Sequence, residues 1–402
     1  MQQEQVALPP PVTAQVSARD ARKLELSAQR NAEAEAKALD KRLRQALREA
    51  SPERSADSRQ LIASHPAESE RLRASMAKTE ARKEQELANA AETEEDDATL
   101  TAKVAELAQM VREAQHAVIY TGAGLSTAAA IPDYRGPQGL WTLAQKKKPG
   151  SAKADGSGSR NAPCAARQAM GQSFAESRPT SGHMAIAALV GKGHVKHVIS
   201  QNVDGLHMRS GLKPHSLCEL HGNVFRERCP SCGKEYLRPF DVTGKSAYHR
   251  HGTERTCEAK GCAEAALRDT IVYFGEKVHA DDLSAAQENA ESSDLGIFLG
   301  SSLKVLTHYA FIWRPLPKPR KKRIVIVNLQ PTPRDKQADL RIFGKCDDVL
   351  QRLLEALKLP TPSYEPTDDV VHQLALKMPT PPTPQQPQPP LLQRQQPQPP
   401  QP

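Results

Sequence analysis

Aromatic side chains are scarce in this 402-residue sequence, at 4%, and the hydrophobic fraction as a whole is only 38%. A fully globular chain needs more, because buried apolar area is what offsets the ordering of the backbone. The deficit is expected to sit at the two ends. No apolar run approaches the roughly 20 residues of a bilayer span, so no membrane partner is expected. The start, MQQEQVALPP, lacks both the basic and the apolar region of a secretory leader, and the chain reads as soluble and intracellular. Seven cysteines in so long a chain do not make a disulfide framework. Acidic charge is in deficit, leaving a net +8. That balance is compatible with nucleic acid or chromatin without proving either.

Composition divides the chain. Residues 1–98 are rich in Ala, Glu, Lys, Arg and Gln. Asp20–Ala50 and Glu68–Ala91 have helical propensity but thin apolar stripes, so this block is a charged extension, partly helical or disordered. From Thr99 the character changes. Val104, Leu107, Ala108 and Val111 recur at helical spacing ahead of an apolar run, Ala117–Tyr120. Further strand-like runs are Val195–Ile199, Thr270–Phe274, Leu295–Leu299 and Ile324–Val327, with helical patterns at Gly182–Val190, Asp281–Ser292 and Asp347–Leu357. The expected fold is α/β, a mostly parallel sheet with helices on both faces. It occupies 99–358, interrupted by a flexible loop at about 144–180 and a cysteine cluster at about 223–270. Residues 359–402 are Pro/Gln-rich and expected to be disordered.

The organising stretch is His116–Gly136, HAVIYTGAGLSTAAAIPDYRG. Strand, glycine turn and helix start is the layout that offers backbone N–H groups to a phosphate. Side chains at Gly122 and Gly124 would block a pyrophosphate. Yet Thr127 stands where the third glycine of a dinucleotide fingerprint belongs, and no acidic residue ends a second strand. An ordinary dehydrogenase is therefore disfavoured.

All five apolar runs lead into polar or glycine-containing clusters, at 121–124, 201–207, 275–276, 300–303 and 328–329. In an open parallel sheet such clusters gather at the carboxyl ends of the strands, where ligands bind. His221, followed by Gly222, can approach a ligand and take up a proton near neutral pH. Cys229, Cys232, Cys257 and Cys262 form two close pairs, the spacing of a four-thiolate zinc module. Such a site has no open coordination position, so the metal is structural.

Together these motifs resemble the sirtuins, NAD-dependent protein deacylases, and within them the nuclear class IV branch. Thr121–Ser126, Ile131–Arg135, Gln201–Asp204, His221–Asn223, the Cys pairs, Phe274–Glu276, Gly300–Ser302 and Val327–Asn328 fall in family order. The resemblance implies a Rossmann-like domain beside the zinc module, with NAD and acyl-lysine meeting between them. It implies that Gly122, Ala123, Gly124 and Ser126 bind the NAD phosphates and that Asp133, Tyr134 and Arg135 shape the cofactor site. Asn202 and Asp204 would hold the nicotinamide end and Gln201 the ribose. Gly300, Ser301 and Ser302 would contact phosphate or ribose, Asn328 the adenosine ribose, and Cys346 the adenine through its backbone. Phe274, Gly275 and Glu276 would flank the acyl-lysine peptide, with His221 as general base and Asn202 beside it. The products would be free lysine, nicotinamide and O-acyl-ADP-ribose. Three features depart from the family pattern: Tyr134 in place of Phe, four residues inside the second Cys pair, and the long 144–180 loop.

Histones or other nuclear proteins are the expected substrates, and the nucleus, extending to the nucleolus, the expected location. The second half of that expectation rests on KPRKKR at 318–323 and on the branch resemblance. DNA or RNA could meet the basic extension, Lys146–Lys148 and Lys318–Arg323. Two other readings stand beside deacylation: ADP-ribose transfer to protein, and a weakly active chromatin scaffold.

Overall fold

The computed structural model describes residues 18–88, 91–133, 136, 139, 174–244, 249–262 and 264–378. These fall into two compact units, divided after Ala88.

The first unit is helical. Helices α1 (Ala18–Arg48), α2 (Ala56–Ser64) and α3 (Pro66–Ala88) are built from strong helix formers. Ser55 caps α2 by accepting the Ser58 N–H. Leu43 and Ala46 of α1 and Leu72 of α3 are buried, a small apolar seam. Asp40 and Arg71 tie α1 to α3 at 2.7 Å.

The second unit opens with α4 (Asp97–Glu113), capped by Asp96, which accepts the Thr99 N–H at 2.9 Å. Six parallel strands follow in spatial order β10-β9-β8-β1-β2-β3. They are β1 (Ala117–Thr121), β2 (His197–Ser200), β3 (Leu217–Glu219), β8 (Leu295–Leu299), β9 (Arg323–Val327) and β10 (Leu340–Ile342). β1 and β8 are buried along their whole length, as strands covered on both faces must be. Ala117, Ile119, Ile297 and Leu299 face α4, α5 (Ser181–Gly191) and α9 (Cys346–Ala356). Val118, Tyr120 and Phe298 face α7 (Ala280–Ser292) and α8 (Ala310–Trp313). On that side Tyr120, Phe298 and Trp313 stack in series, with ring centroids 4.4 Å and 4.9 Å apart. The α/β expectation therefore holds. The chain runs outward from β1 through β2 to β3, then returns to β8 and runs the other way. The β1–β8 boundary is thus the topological switch point, where a crevice opens.

Between β3 and α7 lies a four-stranded antiparallel sheet, in order β5-β4-β7-β6. Its strands are β4 (Arg226–Arg228), β5 (Glu235–Leu237), β6 (Gly252–Thr256) and β7 (Ala266–Asp269). This is the cysteine-bearing module.

Three expectations are corrected. Thr270–Phe274 is not a strand. Its backbone is satisfied otherwise, since Ile271 N–H donates to Asp269 Oδ1 and Val272 N–H to the His221 carbonyl. Ser126–Ala130 is not the start of an α-helix but part of two short 3-10 turns, Ala123–Leu125 and Thr127–Ala129. The fold also runs past 358. A helix α10 (Val370–Leu376) docks through Val371, 2% exposed. Most of the 144–180 loop, Lys146–Lys148, Cys164, Tyr134, Arg135 and the Pro/Gln-rich stretch from 379 lie outside the described residues.

Candidate active site and metal centre

The loops leaving β1, β2, β8 and β9 converge at the switch point. Gly122 N–H donates to the Leu299 carbonyl, Gly124 N–H to the Gly300 carbonyl, and Gly300 N–H to the Val327 carbonyl. This packing explains the glycines. A Cβ on Gly122 would lie 2.7 Å from Gly300 O, and one on Gly124 2.9 Å from Gly300 Cα. Gly300 itself has φ +59° and its Cβ would meet Leu125 N at 2.5 Å. The three glycines are required by one another before any ligand arrives, which the expectation of a purely phosphate-driven role had not foreseen.

The cluster after β2 turns into this crevice. Asn202 Nδ2 donates to the Gly122 carbonyl at 3.1 Å and lies 3.2 Å from Ser126 Oγ. Ser126 in turn donates to Asp204 Oδ2 at 2.7 Å, while Leu206 N–H donates to Asp204 Oδ1 at 3.0 Å. Burial pushes the Asp204 carboxyl above its usual range. Gln201 Nε2 donates to Ser301 Oγ at 2.7 Å, linking the β2 and β8 loops. Asn328 Nδ2 donates to the Gln330 carbonyl. Ser302 is half-buried beside them. Asp133 is engaged in its own turn, accepting Gly136 N–H with both oxygens. Cys346 heads α9 and is buried, which pushes its thiol up to about 12.

His221 sits on the turn after β3. Its Nδ1 lies 3.0 Å from the Gln201 carbonyl. A carbonyl can only accept, so Nδ1 carries the proton and Nε2 keeps its lone pair. Burial holds this imidazole below its usual pKa, so it is neutral and basic at physiological pH. Gly222, with φ +82°, would drive a Cβ to 1.9 Å from Thr270 O. Val272 N–H donates to the His221 carbonyl at 3.0 Å. The segment carrying Phe274, Gly275 and Glu276 is thus stitched to the histidine, and Phe274 is 54% exposed.

Several residues around the site were given no role from the sequence. Thr121 Oγ1 donates to Ser200 Oγ at 3.0 Å and lies 2.8 Å from His207 Nε2. Burial lowers His207 to about 3, so it is neutral. Glu219 accepts both contacts from Asn223 Nδ2, at 2.8 and 2.9 Å. Burial pushes Glu219 up to about 7, against the opposing pull of Arg226 and Asn223. The polar cluster at 201–207 and the stretch leading into His221 marked where His207 and Glu219 lie but not what they touch.

The donor set at the switch point suits a dinucleotide. It is lined by hydroxyls and amides from Ser126, Gln201, Asn202, Ser301, Ser302 and Asn328, most of them held in place by hydrogen bonds among themselves, to Asp204 or to the Gln330 carbonyl.

In the turns that follow β4 and β6, the four sulfurs of Cys229, Cys232, Cys257 and Cys262 lie within 4.8 Å of one another. Two of the separations are 3.6 Å. A disulfide would need about 2.05 Å. A tetrahedron with Zn–S bonds of ~2.3 Å has edges of about 3.8 Å. The thiols therefore fit a structural zinc. Tyr236 Oη lies 3.2 Å from Cys257 Sγ.

Residues 122–307 match the model of the Sir2 family. The NAD-dependent protein deacetylase sirtuin-7 of Mus musculus is 45% identical over 80% of this chain and 75% of its own length. An NAD-dependent protein deacetylase of Rhodopseudomonas palustris is 37% identical over 63% of this chain and 96% of its own. A solved complex of Sir2 with a p53 peptide and NAD+ aligns at 30% identity and a TM-score of 0.45, over 63% of this chain and 98% of that one.

Proposed function

The chain belongs to the Sir2 family, and from that premise we propose that the crevice at the β1–β8 switch point makes it an NAD-dependent protein deacetylase. The observation that carries the reading is His221. Its Nδ1–H is committed to the Gln201 carbonyl, so Nε2 is left as the proton acceptor beside the loops that hold Asn202 and Asp204.

NAD, when bound, supplies a nicotinamide leaving group and the ADP-ribose that receives the acyl group. Gly122, Ala123, Gly124 and Ser126 hold its phosphates, with Gly300, Ser301 and Ser302 opposite. Gln201 and Asn328 meet the riboses and Cys346 the adenine. Asn202 and Asp204 orient the nicotinamide end. His221 Nε2 accepts a proton from a ribose hydroxyl, a role worth roughly 10²–10⁴ in rate. Phe274, Gly275 and Glu276 flank an acyl-lysine peptide that adds as an extended strand. Zinc stays in its own sheet and takes no part in the reaction.

Histones or other nuclear proteins are the proposed acyl-lysine source. What supports this is the resemblance to the nuclear branch of the family, whereas the net charge of +8 and the exposed Lys318 and Arg320 suit DNA or RNA. The other three cations of the 318–323 run have partners in the fold, Lys321 while staying exposed. Lys321 pairs with Asp339, Lys322 donates to the Ala290 and Ile312 carbonyls, and Arg323 pairs with Glu113. A nuclear location is proposed on this run and on the branch resemblance.

The test is nicotinamide release from NAD by the full chain with an acetylated histone-tail peptide. Release that needs both the peptide and His221, matched by loss of acetyl, is expected. Label from NAD retained on protein without peptide deacetylation would point to ADP-ribose transfer instead. No release from zinc-replete, folded protein would overturn the reading.

A further inference from the structure

One histidine of the zinc module is held between two carboxylates. His251, just before β6, places Nδ1 2.9 Å from Asp269 Oδ1 and Nε2 3.0 Å from Glu276 Oε1. His249 Nδ1 reaches the same Glu276 oxygen at 2.6 Å. The second Glu276 oxygen accepts Tyr273 N–H at 2.8 Å, closing a tight turn in which Gly275 has φ +92°. The Tyr273 ring lies 5.4 Å from that of His251. Ionised carboxylates only accept hydrogen bonds, so both contacts of His251 require both ring nitrogens to carry protons. The geometry is that of an imidazolium. Burial acts to lower its pKa, but the hydrogen bonds and charges of Asp269 and Glu276 outweigh it and hold the ring above the usual histidine value.

What His251 grips is the segment stitched to His221. Asp269 Oδ1 also accepts Ile271 N–H at 3.0 Å, Val272 N–H donates to the His221 carbonyl, and the exposed Phe274 follows. The clamp and the base therefore share one short length of backbone.

We infer that His251 is a positioning residue for the acyl-lysine groove, a cationic clamp that joins Asp269 to Glu276 and sets where residues 270–276 lie beside His221. The inference rests on the deacetylase reading and deepens it. The groups facing the His251 ring are Asp269 from β7, and Glu276 and Tyr273 from the segment it holds; His249 competes for the Glu276 oxygen. A folded-state pKa above the unfolded value of about 6.5 means the clamp is complete below that pH. It loosens as pH rises through the folded-state value. Peptide affinity then falls toward alkaline pH while NAD affinity does not.

The experiment uses full-length wild type and His251→Gln, which cannot carry the charge. KM for an acetyl-lysine peptide and for NAD is followed from about pH 6 to about pH 9, bracketing the imidazole titration. At the acid end the variant is expected to raise the peptide KM about tenfold, the order of a lost charge-assisted hydrogen bond. Its NAD KM should stay within about twofold. Wild-type peptide KM should climb with pH toward that of the variant, and the variant's should stay flat. Parallel pH profiles, or equal shifts in both KM values, would overturn the clamp. Zinc content and melting temperature report whether the variant is folded. If it is not, the His251 ring signals of wild-type protein decide by NMR: titration at or below the free-histidine value overturns the inference. Peptide binding followed by fluorescence anisotropy separates the two levels. Binding of acetyl-lysine peptide that ignores pH and His251 sinks the clamp alone, whereas absence of any acyl-lysine binding sinks the deacetylase reading and the clamp with it.

Discussion

Arg209 Nε and Asp369 Oδ2 lie 160 residues apart in sequence and 2.8 Å apart in space, and their side chains are 4% and 0% exposed. Arg209 ends α6 (Leu206–Arg209), directly after the loop that holds Asp204. Its Nη1 donates to the Phe174 carbonyl at 2.9 Å. Asp369 also accepts Tyr364 Oη–H at 2.7 Å and caps α10 through Val371 N–H. The segment beyond 358 is therefore riveted under the elements that carry the site.

Removing one partner of a buried pair leaves an uncompensated charge, which costs about 3–5 kcal/mol. Asp369→Ala is expected to lose stability on that scale in urea unfolding. A chain ended at 358 should lose at least as much. A loss for Asp369→Ala within the ordinary surface range of about 0.5 kcal/mol would show that the rivet is idle.

Gly222→Ala should be among the most damaging small substitutions. It places a Cβ 1.9 Å from a backbone oxygen at φ +82°. Left-handed strain of about 1–2 kcal/mol then adds to an overpacking cost of about 1–3 kcal/mol. Because the neighbour is His221, deacetylation should fall further than stability. Gly191→Ala is the control. It meets nothing within 4 Å at the end of α5 and should be neutral or stabilising in thermal melts.

The pH profile should carry the signature of His221. Its pKa lies below 6.5 because burial disfavours the charged form. A base works once deprotonated, so kcat/KM for NAD at saturating peptide, which the His251 clamp leaves untouched, should already be on its plateau at neutral pH and fall below that lowered pKa. His221→Ala should lose about 10²–10⁴ in rate and abolish this acid limb. An acid limb centred above 6.5 would contradict the burial argument.

Zinc removal should act on the module and not on chemistry as such. Structural zinc contributes on the order of 10 kcal/mol to folding of small domains. A chelator, or Cys232→Ser, is expected to release metal and expose β4–β7 to hydrogen exchange. The six-stranded sheet should keep its protection. Simultaneous loss of protection in β1 and β8 would show that the two sheets fold as one.

Much of the fold was legible locally. β1, β2, β8 and β9 each coincide with an apolar run because strands buried on both faces need one. The cysteine pairs announced their metal because thiolate spacing is set by zinc's own coordination. β3 and β10 were missed, since Leu217–Glu219 and Leu340–Ile342 are three residues each, too short for a period. Thr270–Phe274 misled for the opposite reason. A β-branched, aromatic run looks the same whether its backbone pairs with a strand or, as here, with Asp269 and the carbonyl of His221.

The sequence by itself determined the kinds of groups available: a glycine turn after a strand, a histidine followed by glycine, four thiols in two pairs. Residue type and near spacing are properties of a short stretch, so a short stretch reveals them. Tertiary structure alone decided which groups meet. That Gly122 packs on Gly300, that His221 presents Nε2 because Gln201 holds Nδ1, that His251 bridges Asp269 and Glu276, and that Asp369 finds Arg209 are outcomes of closing the whole chain. Each couples residues far apart in sequence, and each is fixed by burial, where an unmet hydrogen bond or charge costs too much to leave.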